Sequence, residues 1–313
     1  MARYVLRRLV ATLPVVVVVT IVVFLLLHLA PGDPAVVIAG DNASAAEVAR
    51  IRTQLGLDRP LIEQFWVWLV RLAHGDLGQS IYSSLPVTRL IAQRVGPTLA
   101  LAASTLFVSV LIAVALGIVA AVRAGSFADH LVMLIAILGL SAPVFVVGYL
   151  MVLAFSVALD WLPVQGYSPP AAGLGPFLSH LALPTMALAL NFVALIARMT
   201  RASMLEVLAQ DYIRTAYAKG IGRAEIVAVH ALKNAAVPIV TTIGIGVALL
   251  ISGVVITESV FNIPGIGRLV VDAITRRDYP IIQGTTLVFA FVYVVLNLLV
   301  DLSYVVLDPR VRY

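Results

Sequence analysis

The run from Leu9 to Ala30 contains no Asp, Glu, Lys or Arg. A helix needs about 20 mostly apolar residues to cross the roughly 30 Å hydrocarbon core of a bilayer, and this run meets that length. The apolar region of a secretory leader is shorter, roughly 7 to 15 residues. We therefore read the run as a retained first membrane helix, with Arg3, Arg7 and Arg8 ahead of it on the cytoplasmic side. Of 313 residues, 61% are hydrophobic and 12% charged, with a mean hydropathy of +1.05, which excludes ordinary soluble domains.

Further apolar runs cover residues 97–122, 131–159, 181–197, 238–257 and 285–307. The expected fold class is an all-α integral membrane protein of six transmembrane helices with both termini in the cytoplasm. Ser141-Ala142-Pro143 is expected to kink the third span. Residues 31–96 are expected to form a small helical insertion on the outer face. There Ser44 and Glu47 make a capping box, and Asp58 with Pro60 starts a helix carrying Phe65, Trp66 and Trp68. The chain thus divides into 1–30, 31–96 and a five-helix core, 97–313. Residues 160–180 form a second outer loop, and 258–284 are too short and polar to span. The expected cytoplasmic segments carry Lys and Arg at every turn while the 160–180 loop carries none, which sets the orientation by the positive-inside rule.

Several chemistries are excluded. There is no cysteine, so neither disulfides nor thiolate metal sites can form. A phosphate-binding loop needs glycines followed by Lys and a hydroxyl residue, and the only lysines, Lys219 and Lys233, stand in AKG and LKN. Any ATP and Mg²⁺ must belong to another chain. His28, His74, His130, His180 and His230 are isolated, so no metal site is expected, and no Ser, His and carboxylate set points to catalysis. The sequence pI of about 9.7 comes from arginines at membrane borders rather than from one patch, so nucleic acid is not an expected partner, whereas membrane lipid is. Ser141 and Pro143 at the kink, with Asn191, Glu258, Asn297 and Asp301 as polar groups in or near spans, are the candidate pathway or gate residues. Glu258 and Asp301 have a second reading, as side chains that snorkel to an interface or pair with arginine.

One long polar segment, 198–238, interrupts the second half. Leu205, Leu208, Tyr212, Ile213 and Ala216 give an apolar stripe that predicts a helix over 203–219. Gly220 and Gly222 break it, and a second helix over 223–236 is expected to close at Pro238. On shape alone the segment is either a plain basic loop or a docking knob for a soluble partner.

Thr215-Ala216, Gly220 and Leu232 at this spacing resemble the EAA loop of ABC importer membrane subunits. Arg214 stands where that family has glutamate, Thr215 at its first alanine, His230 at an isoleucine and Lys233 at a proline. These departures are similar to the dipeptide, oligopeptide and nickel permease branch, whose loop reads much like QDYIRTAYAKG and HALKNAAVP. RYVLRRLVATLPVVVVV, LAPGDPA, LGLDRPL, GDLGQS, ESVFNIPGIGRLVVDAITRRDYPIIQG and DLSYVVLDPRVRY extend the resemblance over nearly the whole chain, toward the first permease of such an importer.

The resemblance implies a type I ABC importer permease in the bacterial inner membrane. Its partners would be a homologous second permease, two ATP-binding subunits that carry ATP and Mg²⁺, and an extracytoplasmic substrate-binding protein. Asp211, Tyr212, Arg214, Thr215, Ala216, Lys219 and Gly220 would contact the ATPase. The chain itself would be no enzyme, and its cargo would be a dipeptide, longer peptide or glutathione. Nickel within the same family is the alternative. An ion-coupled secondary transporter is less favoured, because no inverted repeat is visible.

Overall fold

The computed structural model describes residues 2–29, 34–39, 43–54 and 56–307, and among these it is helical with no strand beyond one isolated bridge, Gln79 to Pro86. Helix α1 (Ala2–Leu29) is followed by α2 (Pro34–Ala39), α3 (Ala45–Gln54) and α4 (Leu61–Ala73). The core begins with α5 (Val87–Val122), then α6 (Phe127–Ser141) and α7 (Val144–Met151), which continues into a π turn at Val152–Ala158. Helix α8 (Leu174–Leu208) leads to the short α9 (Asp211–Ala218). The single turn α10 (Arg223–Glu225), a π turn (Ile226–Ala231) and α11 (Leu232–Val260) follow as one continuous rod. The described chain closes with α12 (Ile266–Arg276) and α13 (Tyr279–Leu307).

Five of these helices are long and apolar enough to span, and the pair α6 and α7 makes a sixth span broken by 107°. The break falls at Ser141-Ala142-Pro143, where proline disfavours helical backbone in the residue before it. Ala142 is accordingly extended (φ −83°, ψ 124°). Sequence suggested a kink; the break is sharper than that.

Helix α8 is the centre of the core, packed along α5, α6, α7 and α11. It runs parallel to α5, since Ser104 meets Thr185 at 2.7 Å and Gly117 abuts Ala197 and Thr200. A Cβ on Gly117 would stand 2.5 Å from the Thr200 Cβ, and one on Gly253 2.6 Å from Leu188, so these glycines set how closely the helices approach. At 35 residues and 1.5 Å per residue, α8 is roughly 52 Å long, well beyond the roughly 30 Å hydrocarbon core. It is therefore longer than a span requires, and its C-terminal end leads directly into α9.

Several helix limits differ from the sequence expectation: α5 begins at Val87, α8 at Leu174 and α13 at Tyr279, each ahead of the apolar run that marked it. The run 203–219 is two helices, because Leu205 and Leu208 belong to the end of α8 and the chain reorients at Ala209-Gln210 before α9. Pro238 does not close a helix but lies inside α11. The missing proline N–H frees the carbonyl four residues earlier, at Asn234, and membrane helices tolerate such a proline inside their length. In the insertion the capping box forms as expected: Ser44 N and Oγ donate to Glu47 Oε2 at 3.0 and 3.1 Å, and Glu47 N donates to Ser44 Oγ. These bonds hold the Glu47 carboxyl below its ordinary pKa.

Candidate coupling site

Helix α9 is a knob at the end of α8. Ile213 and Ala216, three residues apart, point inward and pack with Ile226, Leu208 and Ile221. Asp211, Tyr212, Arg214, Thr215, Tyr217, Lys219 and Gly220 are exposed. The Arg214 to Asp211 ion pair, 3.2 Å, lies on the open face, with the side chains 77% and 95% exposed.

The knob ends in a glycine turn whose geometry is fully bonded. Ile221 N donates to Ala216 O and Gly220 N to Tyr217 O, the double closure of a Schellman motif, with Ile221 returning to the apolar cluster. Gly220 sits at φ +78°, a conformation that strains any side chain, and a Cβ there would meet nothing within 4 Å. The corner is therefore open on its outer side. Of the residues expected to make the contact, Ala216 is turned inward as part of the clamp and the others face outward. Tyr217 was missed; its exposure follows from a position one residue after the buried Ala216.

Two further bonds fix the base of the knob. Arg201 near the end of α8 forms a bidentate pair with Asp129, Nε to Oδ1 at 2.5 Å and Nη2 to Oδ2 at 2.7 Å, with Asp129 buried. Asp129 Oδ2 also accepts from Gly125 N, and Ser126 caps α6, so the 123–126 turn is tied to α8. Arg223 Nη2 reaches the Val122 carbonyl at the end of α5, 2.9 Å away. Nothing in the sequence joins Asp129 to Arg201, 72 residues apart.

At the other end of the core, Glu258 is fully buried. Its carboxylate accepts from Thr98 Oγ1 at 2.6 Å and from Arg268 N at 2.9 Å, while Thr98 Oγ1 accepts from Ile266 N at 2.8 Å. Gly265 lies so close that any Cβ would collide with the carboxyl, and Ile263 N donates to Glu258 O. Glu258 thus pins the 262–267 turn against α5, and its partners are a hydroxyl and a backbone amide rather than a guanidinium. A second buried carboxylate works nearby: Asp278 accepts from Ser80 Oγ (2.6 Å), Ile81 N (3.2 Å) and Tyr82 N (3.4 Å), and Arg276 lies over the Tyr82 ring. This joins the end of the insertion to the turn between α12 and α13.

The other candidates are scattered. Ser141 is exposed and donates to Ile137 O; Pro143 is exposed at the break. Asn297 is half-buried on α13, and the Asp301 side chain lies outside the described residues. Asn191 Nδ2 is buried without a partner, as are Thr105 Oγ1 and Ser109 Oγ of α5. The register set by Ser104 and Thr185 brings Ser109 to the level of Asn191 along the two parallel helices. Among the described residues no group of His, Asp or Glu could hold a metal ion.

Residues 113–313 match the family described as binding-protein-dependent transport system inner membrane component, and residues 1–102 match the N-terminal model of such membrane components. The chain belongs to this permease family. A probable peptide ABC transporter permease of Sinorhizobium fredii is 51% identical over 313 residues, all of both chains. A putative peptide transport system permease of Brucella abortus is 45% identical, and a glutathione transport system permease of Salmonella typhimurium 42%, each again over all of both chains. Among solved structures, the methionine ABC transporter MetNI in an inward-facing conformation matches with a TM-score of 0.56 at 17% identity, over 70% of this chain and 96% of that one. The fold is that of a type I ABC importer permease, and the chain is a multi-pass inner membrane protein acting in transport.

Proposed function

We propose that the chain is one half of the translocation pore of an ATP-driven importer for short peptides or glutathione. It pairs with a homologous second permease, two ATP-binding subunits and an extracytoplasmic substrate-binding protein. The observation that carries this reading is α9, a polar knob on an apolar clamp at the end of the longest core helices. Its exposed face, Asp211, Tyr212, Arg214, Thr215, Lys219 and Gly220, suits a cleft in a soluble subunit. The peptide cargo is supported by the peptide and glutathione permeases to which the chain is similar over its full length.

In this reading both termini and α9 are cytoplasmic, and the insertion faces the binding protein. ATP with Mg²⁺ closes the partner ATPases, and their movement pulls α9. The displacement passes through the π turn at Ile226–Ala231 into α11, and through the direct chain link into α8. Both helices lead to the packed core, so the half-pore tilts as a unit. Asn191, at the unmet polar seam between α5 and α8, is the candidate for facing the pathway.

Gly220→Trp tests the knob. A Cβ there meets nothing within 4 Å in its own chain, although the positive φ strains it, and the indole would enter the space a partner would occupy. The expected result is ATP hydrolysis by the assembled complex with uptake of labelled dipeptide or glutathione lost, and membrane insertion unchanged. Normal uptake by this variant would remove α9 from the coupling role.

A further inference from the structure

Two clefts lie one above the other beside α1. The upper, about 190 Å³, is lined by Phe24, Arg59, Gln64, Trp68, Arg71 and Gln283. The lower, about 300 Å³, is lined by Val16, Thr20, Leu72, Leu77, Leu287 and Val294, with almost no polar surface. Their walls are successive turns of the same helices. On α1 the lining passes from Phe24 to Thr20 and Val16, on α13 from Gln283 to Leu287 and Val294, and on α4 from Arg71 to Leu72. The two clefts share no lining residue and are neighbours along α1 and α13, parted where the Gln283 amide reaches α1: a polar mouth beside the end of α1 and an apolar slot further along the two helices.

The polar groups at the mouth sort into used and unused. Gln64 is held by His28 and the Arg59 carbonyl, and the Gln283 amide donates to the Val23 and Phe24 carbonyls. Thr20 and Thr53 give their hydroxyls to Val16 O and Ala49 O within their own helices. Arg59 gives one arm to Glu63, an exposed pair. Arg71 has no ion pair among the described residues, and no carboxylate lines either cleft. What the mouth offers a ligand is therefore positive charge and N–H donors. The aromatic cluster of Phe24, Phe65 and Trp68, with ring centroids 5.2 and 5.6 Å from Phe24, stands at the depth where aromatic rings favour the membrane border.

A ligand that matches both halves carries an anionic head rich in acceptor oxygens and a long aliphatic tail. We propose that the junction of α1, α4 and α13 binds one anionic phospholipid, with its phosphate between Arg59 and Arg71 and one acyl chain in the slot between α1 and α13. Guanidinium suits phosphate because its planar N–H groups bind two oxygens at once. The site has a mechanical consequence. Only 11% of the most apolar stretch of α1 is buried by the rest of the chain, and a wedged lipid would add contact on the side away from α11. The proposal rests on the membrane placement alone and is independent of the cargo.

The test uses the assembled importer, purified in mild detergent from membranes containing phosphatidylglycerol and cardiolipin, with retained lipid measured by mass spectrometry per mole of protein. Retained anionic lipid is expected to fall about fivefold in Arg71→Gln and further in Arg59→Gln with Arg71→Gln. Val294→Trp, which fills the slot and touches no arginine, is expected to lower it as well. Arg50→Gln, the same charge change on the exposed face of α3, should leave it alone. Retention unaffected by the arginine and slot variants overturns the proposal. So does sensitivity to the arginines alone with displacement by inorganic phosphate, which means a free anion site. If Val294→Trp releases the second permease with lipid retained, the slot is an interchain contact and the proposal also fails.

Discussion

The joint at Glu258 and the knob at α9 stand at opposite ends of the rod that closes in α11, yet they are held by different means. Glu258 is buried, and its carboxyl group bonds to residues 160 and 10 positions away in sequence, Thr98 and Arg268. The knob has such bonds only at its base, Arg201 to Asp129 and Arg223 to the Val122 carbonyl; α9 itself is clamped by Ile213, Ala216 and Ile226, and its charges face outward. A buried carboxylate with oriented donors fixes one geometry, because leaving any of them unmet costs the full desolvation of that group. An apolar clamp is non-directional and allows a small rotation at low cost. The Glu258 turn is thus built as a fixed joint, and the knob as a part that can be moved by what grips it.

The largest effect should come from the fixed joint. Glu258→Ala leaves the Arg268 amide unpaired, deprives Thr98 of its acceptor, and opens a void beside Gly265. The expected loss is about 4 kcal/mol, read as a lowered thermal unfolding midpoint of the purified complex. Glu258→Gln keeps the volume but turns an NH₂ toward one of two donors, so it should fall between wild type and alanine. An alanine variant as stable as wild type would mean the joint is not what holds the 262–267 turn, and the contrast with the knob would collapse.

Ile213→Ala should cost less, about 2 kcal/mol, and the loss should stay local. The knob forms its own small cluster, which meets the main core only through Leu208, so it can open while α8 and α11 remain packed. Amide hydrogen exchange over 211–221 should accelerate while residues 181–197 keep their protection. A global drop in stability instead would show that the knob is continuous with the core.

This contrast also explains what could be read from sequence. The knob is local: its stripe, its glycine corner and its exposed charges lie within about twenty residues, so periodicity and glycine placement locate it. The Ser44 and Glu47 capping box was legible for the same reason. The limits that failed are those where packing overrides local signals. Leu205 and Leu208 share the spacing of Tyr212 and Ile213, and nothing local says that the chain turns at Gln210. Pro238 reads as a stop, but it lies within α11, just after a π turn at Ile226–Ala231. Glu258 was noticed only because a carboxylate near a span is costly; its partners come from α5 and from the 262–268 turn and carry no pattern. The Asp129 to Arg201 pair and the Asp278 contacts are invisible for the same reason, since ionic partners distant in sequence follow no periodicity.

The smallest stability effect is expected at the Asp211 to Arg214 pair, and it separates stability from coupling most cleanly. Both side chains are largely exposed, and such pairs contribute between nothing and about 1 kcal/mol. Arg214→Ala should therefore leave the unfolding midpoint of the complex within error. If the knob docks through its charged face, the same substitution must still lower the ratio of substrate moved to ATP hydrolysed, since Arg214 presents its guanidinium to whatever fills the open side of α9. Charge reversal sharpens the test: Asp211→Arg with Arg214→Asp keeps the intrahelical pair but swaps its ends along the partner surface. Coupling restored by the swap would mean that the pair acts only within α9, as a local brace. Coupling still lost with stability intact would mean that each charge is read from outside, which is what a part held by an apolar clamp and gripped at its polar face requires.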